Sequence, residues 1–351
     1  MEKIGAWKLA LVYAGCFLGA GYVSGQEMWQ FFGVYGVGGL WGLLLAAILQ
    51  AFFCAVLLSL VRIGRIREIE RVPFRRDHRY LRGAVGGAQL LLLLGVSVIM
   101  SAGVGALAEQ MLHRGGILAS ALFCAVLWRA SRRGIDGMIG VFSVTVPLLT
   151  AATLVLAAIT FGRFGGKLDF SVVSVPNPLM RHPVLGAVLF VSSNLFGSIA
   201  VLVPVAQTLR DGRSAYRGAI LASVLLLPVA LAILLSLHTV PEVTAAELPM
   251  LAMARMIHPI AGVLFALLLL VAMFGTALSC LVSAREYLMQ KSDICRARQG
   301  SVMPILILLT FVGGLFGFGE LIGWIYPLFG YLGFVVLCAM VMHERYLRRK
   351  R

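Results

Sequence analysis

Ten apolar stretches, most of them long enough to cross a hydrocarbon core as helix, recur along the chain and decide the fold class before any motif is read. A core of ~30 Å takes about 20 residues of helix. The stretches are Ala6 to Phe32, Gly36 to Val61, Ala84 to Leu112, Gly116 to Arg129, Gly137 to Phe161, Pro183 to Val205, Ala215 to Leu237, Pro259 to Ser283, Val302 to Phe318 and Leu321 to His343. The fourth is short, and the boundary between the last two rests only on Gly317, Gly319 and Glu320. With 60% hydrophobic and 13% charged residues, the composition is that of an integral membrane protein. The longest polar segments, Arg62 to Arg82 and Gly162 to His182, are too short for a soluble domain.

The net charge of +15 follows topology rather than a nucleic-acid partner. With a cytoplasmic N-terminus, 25 of the 30 Lys and Arg residues fall on cytoplasmic segments. Only Arg114, Arg163, Lys167, Arg181 and Arg255 fall outside, so both termini are expected in the cytoplasm, with the chain in the bacterial cytoplasmic membrane. Cys16, Cys54, Cys124, Cys280 and Cys338 lie within spans and Cys295 in a cytoplasmic loop, which leaves no extracellular disulfide framework. MEKIGAWK runs into the first span without a cleavage pattern, and no removed signal peptide is expected.

Five spans in residues 1–161, a linker at 162–182 and five more in 183–351 give each half an odd count. The halves then have opposite orientation, which is an inverted repeat. In the first span GAGYVSGQE, Gly19 to Glu27, places three glycines, a glutamine and a carboxylate at membrane depth. Unwound backbone is tolerated there only when buried in protein or lining a cavity. If the halves are related, the sixth span should break at a similar depth, and there Ser192, Ser193, Asn194, Gly197 and Ser198 cluster.

Ser24-Gly25-Gln26-Glu27 has the spacing of a capping box. The expectation is one half-helix ending at a left-handed Gly19 or Gly21 and another beginning near Ser24. Carbonyls ending the first half suit a cation, and N–H groups starting the second favour an anion. Gly15, Gly19, Gly21 and Gly25 also have the spacing of small-residue helix packing, which accounts for the glycines but not for Gln26 and Glu27. Glu27 has two compatible readings, a cap and a ligand or proton group. With Tyr22, these residues form the candidate substrate site together with Ser193, Asn194, Gly197 and Ser198.

Weaker candidates share helix faces: Thr276, Ser279 and Ser283 in span eight, and Ser97 and Ser101 in span three. Their hydroxyls suit an alkali cation or bond back to their own helix. Val240 to Pro259 is too short and charged to span; it reads as a lid on the outer mouth or as a surface connection.

GAGYVSGQE, SSNLFG in span six and AAELPML before span eight resemble the YkvI-like family of bacterial membrane proteins. More distantly, the two interruptions resemble the amino acid, polyamine and organocation superfamily with its LeuT-like fold. That resemblance implies discontinuous helices 1 and 6 and alternating access driven by sodium or protons. It also implies a sodium site joining carbonyls near Gly15 and Leu18 to Thr276 and Ser279. The implied cargo is a small organic solute, amino acid or amine. Glu27, in the first turn of the outer half-helix, would compete with an anionic group and favours a cationic or zwitterionic substrate. No other cofactor is implied, and the residues leave the oligomeric state open.

A membrane enzyme is disfavoured. His78, His113, His182, His238, His258 and His343 sit in loops or at span ends, and no HExxH occurs. A receptor that kept the fold remains the alternative, separable by ligand flux.

Overall fold

A computed structural model describes residues 4–66, 68–74, 79–132, 138–165, 167–171 and 176–350. The chain is helical throughout. The helices are α1 (Ala6–Phe17), α2 (Ala20–Val23), α3 (Gln26–Phe31), α4 (Val37–Gly64), α5 (Arg79–Leu112), α6 (Gly116–Ser131), α7 (Met138–Phe164), α8 (Pro183–Gln207), α9 (Gly212–Thr239), α10 (Pro249–Ile257), α11 (Pro259–Lys291), α12 (Asp293–Ala297), α13 (Gln299–Gly313) and α14 (Phe318–Arg349). The start of the fifth expected span, at Gly137, lies outside the described residues, as do Lys3, Arg67, Arg75, Arg76, Arg133 and Arg351 of the charge pattern.

Seven of these helices are long and apolar enough to cross a membrane, and α1, α6 and α13 are shorter apolar helices. Lipid is the solvent their outer faces require. On α4, Trp41, Leu44, Ile48 and Phe52 form an exposed apolar stripe at helical spacing, and Ile260, Val263, Leu264, Leu267 and Val271 do the same on α11. Stripes of this extent are unfavourable in water and matched to hydrocarbon. The protein is a multi-pass membrane protein.

α8 lies inside the bundle, packed on α4 and α14, while α5 packs on α11 and α1 on α9. Glycine makes the closest approaches. A Cβ on Gly330 would meet the Leu189 carbonyl oxygen at 2.8 Å and one on Gly333 that of Ser192 at 2.5 Å, so α14 seats its backbone directly on α8.

The first span breaks as expected, at two points rather than one. α1 ends at Phe17, and Gly19 is extended (φ −73°, ψ 171°). One turn of α2 follows before Gly25, at φ +87°, starts α3. The left-handed glycine is therefore Gly25, not Gly19 or Gly21. The capping box does not form: Ser24 Oγ donates to the Gly21 carbonyl at 3.0 Å, and the Glu27 side chain turns toward α8.

The sixth span is not broken. α8 runs without interruption from Pro183 to Gln207, with its own backbone ladder intact through the polar cluster. Ser193 donates to Leu189 at 2.9 Å and Ser198 to Asn194 at 2.7 Å, both within the same helix.

Candidate functional site

The two interruptions of the first span place Glu27 inside the bundle at 2% exposure. Its Oε1 accepts a 2.8 Å hydrogen bond from Asn194 Nδ2, joining the outer part of the first span to the centre of α8. Asn194 also donates to its own helix at the Phe190 carbonyl, at 3.1 Å. Gly21 lies against the same carboxylate: a Cβ there would sit 3.0 Å from Oε2. Tyr22 and Tyr326 are within electrostatic reach of the carboxylate.

Three carboxylates are buried among the described residues. Glu70 is paired with Lys291 at 2.7 Å, and Glu344 with Arg348. Among the described residues Glu27 has no basic partner, and its one side-chain donor is a neutral amide. A buried carboxylate so placed is costly unless charge or hydrogen bonds compensate it.

At the inner edge of the break, Gly19 N–H donates to the Phe17 carbonyl instead of continuing the helix, and Leu18 N–H to Ala14. No backbone N–H among the described residues reaches the carbonyls of Gly15, Cys16 or Leu18. Thr276 of α11 faces this edge, its Oγ1 4.0 Å from where a Gly19 Cβ would stand, and it makes no hydrogen bond among the described residues. Ser279 Oγ donates to the Gly275 carbonyl at 2.7 Å. Ser198 approaches Cys16 from α8.

Other expected site residues point elsewhere. The Tyr22 hydroxyl is held by the Leu226 carbonyl at 2.9 Å, so its ring packs between α8 and α9. Gln26 lies beside the N-terminus of α14, its Nε2 2.6 Å from a would-be Gly319 Cβ. Ser97 bonds back to Leu93 at 2.9 Å, and Ser101 turns toward Cys124 of α6. Gly197 faces Leu92 of α5, where Gln89 donates to the Phe196 carbonyl at 2.9 Å. Gln89 and Tyr326 escape the sequence reading, although an amide within an apolar run is the same signal that singles out Asn194.

The segment before α11 closes over the break. Met250 N–H donates to the Ser24 carbonyl at 2.8 Å, and Glu247 accepts from Gly319 N–H at 2.6 Å. Gln110 of α5 pairs with both Leu248 groups, at 3.1 and 3.3 Å. Leu248, Met250, Leu251 and Met253 are buried, which decides for a seated cover over a surface connection. Gln110→Ala leaves both Leu248 groups without this partner and should lower stability by about 1–2 kcal/mol, read by thermal unfolding. A cavity of about 470 Å³ opens beside this cover, lined by Glu109, Ser120, Glu247 and Phe318 among others, and not at Glu27.

No family model matches the chain. In Bacillus subtilis (strain 168) it aligns with the uncharacterized membrane protein YkvI over 353 residues at 26% identity, covering 99% of each chain. The chain is similar to YkvI along its whole length. The resemblance carried by GAGYVSGQE is thus borne out. The uncharacterized protein YyaD of the same organism is 23% identical over 96% of each chain.

Among solved structures, MhsT in complex with L-phenylalanine superposes with a TM-score of 0.65 at 17% identity, covering 96% of this chain and 89% of that one. The inward facing conformation of Mhp1 gives 0.64 at 15% identity, covering 100% and 78%. A Na+-coupled sialic acid symporter in a substrate-bound outward-open state gives 0.63 at 15%, covering 94% and 76%. At these identities the likeness establishes the fold, which this chain shares with LeuT-fold transporters. These neighbours are transporters rather than enzymes.

Proposed function

We propose that the chain is a secondary active transporter that moves a small organic solute, an amino acid or an amine, across the cytoplasmic membrane by alternating access. The observation that carries this reading is Glu27: a buried carboxylate without a basic partner among the described residues, at a break in the first span, bonded to Asn194 from the other half of the chain. An ammonium group reaching it gains a charge-assisted hydrogen bond in a low dielectric. The fold shared with LeuT-fold transporters supports the same reading, in which two repeats of five helices would rock about a site between them.

The coupling ion in this reading is sodium or a proton. For sodium, the Gly15 and Leu18 carbonyls and the Thr276 hydroxyl supply hard oxygen donors, with the Ser279 hydroxyl three residues on from Thr276 along α11. Thr276→Ala should abolish a sodium-dependent rise in melting temperature, measured in sodium against choline buffer. If ligand stabilisation is indifferent to sodium and varies with pH, Glu27 becomes the coupling group.

The functional test is uptake and counterflow of amino acids and amines in proteoliposomes. Saturable binding without flux would make the chain a receptor on a transporter fold.

A further inference from the structure

The cytoplasmic ends of α4, α9 and α14 meet at one corner of the bundle. A Cβ on Gly64 would contact Leu347 at 3.1 Å, and one on Gly212 would meet Arg62 Nη1 at 3.3 Å. Arg348 bonds the Tyr216 hydroxyl across the same corner, and Ser59 donates to Glu344 at 2.9 Å. Within residues 62–65, 210–217 and 344–350 lie Arg62, Arg65, Arg210, Arg213, Arg217, Arg345, Arg348, Arg349 and Lys350, nine bases against Asp211 and Glu344. Both acids are already engaged. Glu344 is buried on Ser59 and Arg348, and Asp211 caps α9 by accepting from Ser214 N–H at 2.6 Å. The Ser214 hydroxyl and then its backbone N–H hold the Asp211 carboxyl below the usual carboxylate range.

The rest of this membrane face is different. Around the start of α5 and the end of α11, Arg71 and Arg82 find Glu68, Lys291 finds Glu70, and Arg296 finds Asp293. A bias toward basic cytoplasmic loops explains the number of positive residues but not why compensating acids are present at one edge and lacking at the other. Apart from Arg62, the bases of the corner are exposed. They cluster at the ends of apolar helices long enough to cross a membrane, the level at which a spanning helix meets lipid headgroups.

We propose that this corner is a binding site for the phosphate headgroups of anionic lipids, seated between the ends of α4, α9 and α14. Guanidinium groups bind phosphate oxygens in a paired, planar fashion, and an anionic leaflet supplies such groups at high local concentration. The inference rests on the membrane reading of the chain and is independent of what it transports.

The test uses the full-length protein in a neutral detergent, with thermal unfolding on titration of short-chain phosphatidylglycerol, short-chain phosphatidylcholine and inorganic phosphate. Phosphatidylglycerol should stabilise at a concentration at least ~10-fold lower than phosphatidylcholine, and the preference should shrink as salt rises. The triple variant Arg62→Gln/Arg213→Gln/Arg345→Gln should lose this preference. Arg129→Gln/Arg132→Gln/Arg298→Gln, elsewhere on the same face, should keep it. Equal stabilisation by the two lipids overturns the proposal. So does equal loss in both triple variants, or full protection by inorganic phosphate alone. If the first triple variant fails to fold, the same comparison is made with Arg345→Gln alone, a position with no interhelical hydrogen bond or ion pair among the described residues, and an unchanged preference there counts against the site.

Discussion

Uptake by Glu27→Gln should fall at least ~30-fold below wild type while the protein stays folded. Glutamine keeps the shape and can still accept from Asn194 Nδ2 through its carbonyl, so the link between the first span and α8 survives. What it removes is the negative charge, and hydrogen bonds to a charged group contribute about 1.5–3 kcal/mol, roughly one to two decades in rate. Asn194→Ala should act differently, because it strips a buried carboxylate of its one side-chain donor and lowers stability by about 1–3 kcal/mol as well. Initial rates in proteoliposomes at matched protein content, with thermal unfolding of the same preparations, separate the two effects. Wild-type uptake by Glu27→Gln across pH 5 to 8 would remove Glu27 from the mechanism. In the double variant the coupling energy between the two positions is read directly by a mutant cycle.

Gly39→Ala should disrupt folding, while Gly38→Ala, one residue away, should be tolerated. A Cβ on Gly39 would lie 1.9 Å from the backbone carbonyl oxygen of Phe32, in the turn that joins α3 to α4. Backbone there cannot move aside without displacing α3 and with it Glu27. Overpacking of ordinary sites costs about 1–3 kcal/mol, and this contact is at the severe end. On Gly38 the added carbon meets Pro183 at 3.5 Å and Tyr35 at 3.8 Å, ordinary contact distances, and the exchange gains helix propensity of up to about 1 kcal/mol. Size-exclusion profiles and melting temperatures of the two variants give the comparison. Equal behaviour would mean that the turn yields more than its packing suggests.

The helical membrane class is written in the sequence without reference to any contact. Apolar runs of spanning length leave the backbone no other satisfied state in lipid, so the boundaries of α4, α5, α8 and α9 fall close to those read from composition. The break in the first span was legible from two signals: Gly25 takes a left-handed turn that other residues resist, and a carboxylate at that depth needs a reason to be there. The sodium and proton readings were not decidable from such signals and remain proposals.

Tertiary structure decided what local pattern could not. Ser192, Ser193, Asn194, Gly197 and Ser198 look like a second break, yet Ser193 and Ser198 find acceptors on their own helix without opening it, and α8 is intact. Ser24 and Glu27 have capping-box spacing, but the carboxylate gains more from Asn194 than from a nearby N–H, a partner 167 residues away that no local window contains. Tyr22 and Gln26 sit within the motif and still turn outward, to Leu226 and to the start of α14, because adjacent residues of a helical turn face different neighbours. Apolar length fixed which segments are helices; which polar groups meet depended on how those helices pack, since hydrogen bonds at membrane depth are chosen among whatever partners the bundle brings within reach.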